Sequence, residues 1–214
     1  MKTIVNQIPH GVGETSAWVK RWSHLVRPQG DVLDLACGHG RHMRWFSQLG
    51  HAVTGVDRSA EAIEAVANLG AGILADIENG PWPLMQGGRV RTFDAVVVTN
   101  YLWRPVFPVI AESVAPGGIL LYETFAAGNE TVGKPSRPDF LLQPGELLRE
   151  FSGGCAGKFA GELTSGFADL RVIAYEDGYL DDSPRFVQRI CAVREKTGAE
   201  SARTSPAVPQ RYPL

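Results

Sequence analysis

The feature that most constrains this chain is an apolar run that ends in a glycine turn, Asp31-Val-Leu-Asp-Leu-Ala-Cys-Gly-His-Gly40. The nearly continuous apolar residues predict a strand that is buried on both faces. A helical pattern follows, in which Met43, Phe46 and Leu49 are spaced to share one face. A strand that turns on glycines into a helix lets a small ligand approach the backbone closely. The stretch therefore predicts a ligand site.

Two classes of ligand use such a turn. A dinucleotide site needs Gly-x-Gly-x-x-Gly, and the third glycine position is Met43 here. S-adenosylmethionine is the alternative, because it has no phosphate but carries an ammonium, a carboxylate, a ribose and an adenine. Asp34 offers an acceptor for the ammonium, and Gly38 and Gly40 offer a narrow turn. A pair of glycines is weak evidence alone, so the choice depends on the rest of the chain.

The rest of the chain repeats the order strand then helix. Five such units precede two strand-like segments, 170–175 and 186–193, which have turn residues and no helix between them. This order predicts an α/β fold with a Rossmann-like, doubly wound sheet of about seven strands, mainly parallel, with a C-terminal antiparallel hairpin. In the first predicted helix, over 14–26, Trp18 and Trp22 share one face, and we expect them to pack on the sheet.

Polar residues follow several of the predicted strands. Asp57 and Asp76 end the second and third strands, and Asn100 follows the fourth. In open parallel sheets, ligands bind outside the carboxyl ends of the strands, at the switch in strand order. Asp57 also lies about twenty residues beyond the glycines, where ribose-binding carboxylates lie in nucleoside folds. The glycine turn and these polar residues together predict one cofactor site.

Length and composition define the remaining expectations. The 214 residues predict a single domain over 1–194, with an N-terminal arm over 1–12 and a disordered tail over 195–214.

The net charge of −2 leaves no basic footprint, so we expect no nucleic-acid partner. No apolar run approaches the ~20 residues of a membrane span. The N-terminus lacks the apolar core of a signal peptide, and the three cysteines are far apart, which favours free thiols in a cytoplasmic protein.

The sequence resembles the class I S-adenosylmethionine-dependent methyltransferases over roughly residues 13–194. The resemblance rests on Asp34-Leu-Ala-Cys-Gly-His-Gly40, Gly55-Val-Asp57, Ala75-Asp76-Ile77 and Pro116-Gly117-Gly118. Three further stretches, 38–42, 122–125 and 141–148, resemble the branch that includes tellurite-resistance methyltransferases. The glycine-rich segment 152–166 departs from the pattern, because most relatives have a shorter link before the last hairpin.

The resemblance implies a role for each motif residue in holding S-adenosylmethionine. Asp34 accepts from the ammonium, while Arg41 pairs with the carboxylate or remains a surface residue. Asp57 accepts from both ribose hydroxyls or only caps a helix, and Asp76 accepts from the adenine amino group. The implied cofactor-binding residues are Asp34, Ala36, Gly38, Gly40, Arg41, Asp57, Arg58, Asp76, Ile77 and Asn100.

The resemblance also implies a reaction, the in-line transfer of a methyl group to a small-molecule acceptor. The alternative is a non-catalytic module that binds S-adenosylmethionine or S-adenosylhomocysteine as a regulatory ligand. A thiol, selenide or telluride acceptor needs little help from a base, whereas oxygen and nitrogen acceptors need more. No catalytic residue and no metal ligand is assigned, although four residues near the predicted site are candidate bases: His10, His42, Tyr101 and Glu123. For His42 we expect a place on the helix surface.

Two segments without a regular pattern flank the predicted site. They are the arm 1–12, which includes His10, and the loop 126–143, which follows the fifth strand. Loops of this length in a compact domain are usually functional or disordered. We expect the arm, with the loop, to close over the cofactor and exclude water.

Overall fold

The structure is a computed structural model that describes residues 13–152, 170–196 and 211–214. The predicted arm 1–12 with His10 lies outside the described residues. Cys155, nearly all of the glycine-rich segment and residues 197–210 of the predicted tail lie outside them as well. The lid predicted for the arm therefore stays a prediction.

Seven strands form one sheet, which confirms the predicted fold class. The described residues contain nine strands in all: β1 (Asp31–Leu35), β2 (Ala52–Asp57), β3 (Ala71–Leu74), β4 (Met85–Gln86), β5 (Arg89–Val90), β6 (Phe93–Thr99), β7 (Val114–Phe125), β8 (Leu170–Leu180) and β9 (Arg185–Arg194). The order in the sheet is β3-β2-β1-β6-β7-β9-β8, and β4 and β5 form a separate hairpin. The first five strands in this sheet order, β3, β2, β1, β6 and β7, are parallel. Strand β9 is antiparallel to both β7 and β8. Strand order therefore switches direction between β1 and β6.

Five short α-helices accompany the sheet in the described residues. They are α1 (Ala17–Trp22), α2 (Arg41–Gln48), α3 (Ala60–Ala65), α4 (Phe107–Glu112) and α5 (Glu146–Phe151). One 3-10 turn continues α1 through Ser23–Leu25, and another, Arg104–Val106, leads into α4. The segment between β3 and β6 holds the β4–β5 hairpin and no helix, so one of the five predicted strand–helix units lacks its helix.

The sheet is buried on both faces, which explains the continuous apolar run in β1. Val32 packs with Trp18, Trp22 and Phe46 on the side of α1 and α2. Leu33 packs on the opposite side, in the cluster that includes residues of α4 and α5. Side chains alternate between the faces of a strand, so a strand that is covered on both faces needs apolar residues at successive positions. Trp18 and Trp22 are core residues, as expected from their helical spacing.

The loop 126–143 is tied to the domain at both ends and in the middle. The Ala127 N–H donates to the Leu142 carbonyl, and the Leu142 N–H donates to Phe125, each at about 3 Å. Between them, the buried Asn129 side chain donates to the Pro135 carbonyl at 2.9 Å and accepts from the Phe186 N–H at 3.2 Å. These hydrogen bonds hold the ends of the loop beside the domain, and its predicted closing over the cofactor stays a prediction.

The chain end returns to the domain. His24 Nε2 lies 3.1 Å from the Pro213 carbonyl, and the Arg171 guanidinium lies 5.7 Å from the centre of the Tyr212 ring. Tyr212 also packs against the cluster that contains Trp22. The last residues, 211–214, thus cover part of the outer surface of α1 and β8.

Candidate active site

The carboxyl ends of the parallel strands border a cleft of about 820 Å³. Its lining includes predicted residues from three strand ends: Ala36 and Gly38 after β1, Asp57 and Arg58 at β2, and Asp76 and Ile77 after β3. Asn100, after β6, lines the cleft as well. The structure therefore brings these seven predicted residues to one site. Gly40, Asp34 and Arg41 do not line it directly, and their places are described below.

The glycine turn has an unusual backbone. Ala36, Gly38 and Gly40 all have positive φ, at 54°, 51° and 74°. For alanine this left-handed conformation costs roughly 1–2 kcal/mol. A Cβ on Gly40 would approach Val66 Cγ1 at 2.5 Å, so only glycine fits between α2 and α3 there. Gly40 therefore shapes the turn from behind, while Ala36 and Gly38 present their backbone to the cleft.

Asp34 is a buried carboxylate that can still accept hydrogen bonds. Its side chain is 1% exposed, and Oδ1 lies 3.8 Å from Nδ1 of His42. Oδ2 has no hydrogen-bond partner in the described part of the chain. Leaving a buried carboxylate oxygen unpaired is costly, and native proteins do so where a ligand, ion or water completes the site. The geometry provides an acceptor beside the glycine turn.

Asp57 fixes the turn and retains acceptor capacity. Its Oδ2 accepts from the Gly38 N–H at 2.8 Å, and its Oδ1 accepts from the Ser59 N–H at 2.9 Å. Because each carboxylate oxygen has two lone pairs, both oxygens can accept a further hydrogen bond. The cap of α3 is Ser59, whose hydroxyl accepts from the Ala62 N–H. The simple capping role for Asp57 is therefore wrong.

Asp76 holds its own loop together. Its oxygens accept from the N–H groups of Glu78 and Asn79 and from the Asn79 side-chain amide, at 2.9–3.3 Å. The hydrogen bond from the Asn79 side chain is the main cause of a lowered pKa for Asp76. The carboxylate is exposed, and Ile77 beside it is half-buried in the cleft wall.

Arg41 is a half-buried cation at the start of α2. Its Nη2 donates to Thr99 Oγ1 at 3.3 Å, and Arg41 makes no ion pair with any described carboxylate. Burial lowers the pKa of its guanidinium, and the charges of Glu123 and Asp34 oppose that change. The alternative of a fully solvated surface arginine is therefore wrong, and its charge remains available for an anionic group such as the predicted carboxylate.

Asn100 and Tyr101 form the floor where the strand order switches. Asn100 has a positive φ of 54°, and its N–H donates to the Glu123 carbonyl at 2.9 Å. Tyr101 Oη has no hydrogen-bond partner among the described residues. Burial, with Glu78 nearby, raises the pKa of Tyr101 well above its usual range, so the phenol is neutral and unsuited to act as a base at neutral pH.

His42 belongs to a buried network that the sequence pattern did not reveal. The ring is 2% exposed, so the predicted surface role is wrong. Nε2 accepts from the Ser16 N–H at 3.4 Å, which puts the proton of a neutral ring on Nδ1. Nδ1 then faces Thr99 Oγ1 at 3.4 Å and Asp34 at 3.8 Å. His42 therefore lies next to the Asp34 carboxylate within the buried core.

Glu123 extends this network across the sheet. Thr99, Glu123 and Arg189 are register partners on β6, β7 and β9, so their side chains share one row. The buried Glu123 carboxylate accepts from Ser16 Oγ at 3.1 Å and lies 3.4 Å from Arg189 and 3.6 Å from Arg185. The one signal in the sequence was a single acid within the apolar strand Ile119–Phe125. Its partners depend on strand register, which the sequence alone does not provide.

Comparison with known families identifies this arrangement. The family described as "Methyltransferase domain" matches residues 32–118, which run from β1 through the start of β7. Over these residues the chain is similar to a methyltransferase domain. No curated protein sequence matches the chain significantly.

Solved structures place the fold in the same class. TehB from Haemophilus influenzae is 21% identical, with a TM-score of 0.59; the match covers 85% of this chain and 63% of TehB. A TehB-like S-adenosylmethionine-dependent methyltransferase from Corynebacterium glutamicum is 15% identical, with a TM-score of 0.54 and coverages of 86% and 90%. The glycopeptide N-methyltransferase MtfA, solved with S-adenosylhomocysteine, is 18% identical, with a TM-score of 0.55 and coverages of 86% and 91%. The predicted resemblance to S-adenosylmethionine-dependent methyltransferases, including the TehB branch, is confirmed at the level of the fold.

Proposed function

We propose that this methyltransferase domain transfers the methyl group of S-adenosylmethionine to a small-molecule acceptor. The observation that carries the proposal is the buried Asp34 carboxylate with its unpartnered oxygen beside the glycine turn. A cationic ammonium is the ligand group that best offsets such a buried charge. When bound, S-adenosylmethionine brings that ammonium and a methyl carbon already activated by its sulfonium.

Each predicted residue then has a part that its geometry supports. Asp34 accepts from the ammonium, and the half-buried Arg41 pairs with the carboxylate. Ala36, Gly38 and Gly40 keep the turn narrow. Further along the cleft, Asp57 uses its spare lone pairs for the ribose hydroxyls, and the adenine lies against the loop that follows β3. The residues of that end of the cleft are Asp57, Arg58, Asp76 and Ile77, and Asn100 lies toward the acceptor.

Alignment is the main contribution of the protein in this proposal. An in-line displacement at an activated methyl group depends chiefly on holding the nucleophile opposite the leaving sulfur. Tyr101 is neutral because its pKa is raised, and His42 and Glu123 are buried and hydrogen-bonded within the network. We therefore assign no general base, which favours acceptors whose nucleophilic atom is already deprotonated or soft.

A small acceptor fits the shape of the site. The cleft of about 820 Å³ lies within the roughly 300–1,000 Å³ that small-molecule sites occupy. Among the described residues, no helix is long and apolar enough to span a membrane. The buried free thiols of Cys37 and Cys191 support a reducing compartment, so we propose the cytoplasm.

The direct test is ligand binding with and without Asp57. Calorimetry is expected to detect S-adenosylmethionine and S-adenosylhomocysteine but not NADH. Hydrogen bonds to a charged group contribute about 1.5–3 kcal/mol each, so Asp57→Ala is expected to lower affinity more than tenfold. Asp57→Asn, which keeps one acceptor oxygen, is the matched variant and should lose less. Tight NADH binding without any response to S-adenosylmethionine would overturn the proposal.

Turnover requires a separate measurement. A mass-spectrometric assay for methylated product across thiols, small carboxylates and the oxyanions of selenium and tellurium identifies the acceptor class. Asp57→Ala is the negative control in each reaction. Binding of S-adenosylmethionine with no product from any of these acceptors contradicts the small-molecule part of the proposal.

A further inference from the structure

The two halves of the cleft differ in charge. The half at the ends of β1, β2 and β3 has one cation, Arg58, and four acidic side chains in its wall: Asp57, Glu61, Asp76 and Glu78. The other half is formed by the ends of β6 and β7 and by the loop 126–143. None of the described residues that line this second half is acidic, and its one charged side chain is Lys134. The halves are therefore suited to ligands of different charge.

The second half has room for its own ligand. At about 820 Å³ the whole cleft is near the upper end of the range for small-molecule sites. The cofactor assignments use strand ends β1 to β3 and reach only as far as Asn100. The space over β6 and β7 thus remains for the acceptor, on the far side of the strand-order switch.

The walls of this second half are aromatic and apolar. Phe125, Pro135 and Phe140 line it, with Leu102 and Tyr101 on the floor. The Phe140 side chain is 43% exposed although it borders the cleft. The Arg137 guanidinium lies 5.2 Å from the centre of this ring, so a flat ligand can use only the apolar surface that Arg137 leaves exposed. Stacking there would remove apolar surface from water.

Lys134 places a charge at the edge of these walls. Within the described part of the chain, it forms no ion pair with a carboxylate and no hydrogen bond. An ammonium with no internal partner beside an apolar surface favours a ligand that joins an anion to an apolar body.

The wall is also preorganised. The carbonyl of Pro135, next to Lys134, accepts from the buried Asn129 side chain at 2.9 Å. On either side of Phe140, the carbonyls of Asp139 and Leu141 accept from the Arg104 guanidinium at 2.9 and 3.0 Å. A binding surface that is already fixed loses less entropy when a ligand binds.

We propose that the acceptor is an aromatic carboxylate, with its ring against Phe140 and Phe125 and its carboxylate at Lys134. This inference rests on the proposed function, because it requires the cofactor to occupy the other half of the cleft. It narrows the acceptor from any small molecule to a flat monoanion.

The test uses a charged and a neutral ligand of the same shape. Calorimetry with protein saturated by S-adenosylhomocysteine is expected to show that 1-naphthoate binds at least tenfold more tightly than 1-naphthamide. Lys134→Ala is expected to abolish that preference, and Phe140→Ala to weaken both ligands. Lys196→Ala is the matched control: Lys196 lies beside Gly117, at the opposite end of β7, so its removal should change neither affinity.

Each outcome decides between the two proposals. If the unmodified protein does not bind S-adenosylhomocysteine, the proposed function is overturned. Intact S-adenosylhomocysteine binding with no naphthoate binding would overturn this inference alone. Equal affinity for naphthoate and naphthamide, or an unchanged preference in Lys134→Ala, would also overturn it.

Discussion

At the scale of single residues, Met43 shows how α2 packs on β2 without a glycine on the helix. It occupies the position where the dinucleotide pattern has its third glycine, and it is fully buried. Its sulfur would lie only 2.4 Å from a Cβ on Gly55 of β2. Close packing of α2 on β2 is thus achieved by a small residue on the strand instead of on the helix. The sequence departs from the dinucleotide pattern at Met43, and in the structure the glycine at this contact is Gly55 of β2 instead.

Asp34 provides the first residue-scale prediction. Asp34→Asn keeps the shape of the side chain and removes a charge that is 1% exposed. Because an uncompensated buried charge is destabilising, the free protein is expected to unfold at an equal or higher temperature. Affinity for S-adenosylmethionine is expected to fall more than tenfold, because the ammonium loses a charged acceptor. Thermal unfolding and calorimetry on the same sample measure both effects, and a lower melting temperature with unchanged affinity would make Asp34 purely structural.

At the scale of elements, Ser16 connects α1 to the sheet. Its hydroxyl accepts from the Trp18 N–H as the helix cap and donates to the buried Glu123. Loss of a cap costs about 1 kcal/mol, and loss of a hydrogen bond to a charged group costs about 1.5–3 kcal/mol. We therefore expect Ser16→Ala to lower the free energy of unfolding by about 2.5–4 kcal/mol in denaturant titrations.

Ser59→Ala is the control for this prediction. Ser59 also caps a helix of six residues, but its hydroxyl makes no bond to a buried carboxylate in the described chain. Its loss should cost only about 1 kcal/mol. Equal losses for the two serines would show that the Ser16–Glu123 hydrogen bond contributes nothing to stability.

Arg104 gives a second prediction at this scale. Its guanidinium pairs with both oxygens of Glu146, at 2.6 and 3.0 Å, and the Glu146 side chain is 6% exposed. Arg104→Met would leave that carboxylate buried without its ion pair, with the Gln143 N–H as its remaining hydrogen-bond donor. Breaking a fully buried pair costs about 3–5 kcal/mol. Because Arg104 is 38% exposed, we expect a smaller loss, about 2–3 kcal/mol, in denaturant titrations.

Two further variants separate the charge effect from other effects. Arg104→Met combined with Glu146→Leu removes the unpaired carboxylate and should recover part of the loss. Arg137→Ala breaks an ion pair of the same loop whose side chains are more than 70% exposed, and it should change stability by less than about 1 kcal/mol. Failure of the double variant to recover any stability would place the effect in the two carbonyl bonds of Arg104 instead.

At the scale of the whole molecule, the cofactor is expected to stabilise the fold. A ligand that binds only the native state at one hundred times its Kd adds about 2.7 kcal/mol to the free energy of unfolding. S-adenosylhomocysteine should therefore raise the unfolding midpoint, and the increase should be lost in Asp57→Ala. NADH at the same concentration should leave the midpoint unchanged, and an equal rise with NADH would contradict the selectivity argued from the turn.

The sequence predicted the fold more fully than it predicted the contacts between side chains. Apolar runs and the order of elements were sufficient for the seven-stranded sheet, because burial on both faces leaves a strong signal in strands such as β1. The β4–β5 hairpin was missed, since strands of two residues are too short to show a period. The buried place of His42 was missed because Ser16 and Asp34 approach it from other parts of the chain. The row from Thr99 to Arg189 depends on register, which no local pattern specifies.

The cleft is divided by chain segment as well as by charge. Apart from Asn100, the cleft residues assigned to the cofactor come from residues 36–78, whereas the wall opposite comes from residues 100–140. Substitutions in one half thus leave the other half's sequence intact, so the two can diverge separately. Because the loop 126–143 begins and ends at hydrogen-bonded neighbours, a loop from a related protein could be grafted between them. Under the proposed assignments, such a chimera is expected to bind the same methyl donor as this protein and to accept the acceptors of the protein that supplied the loop.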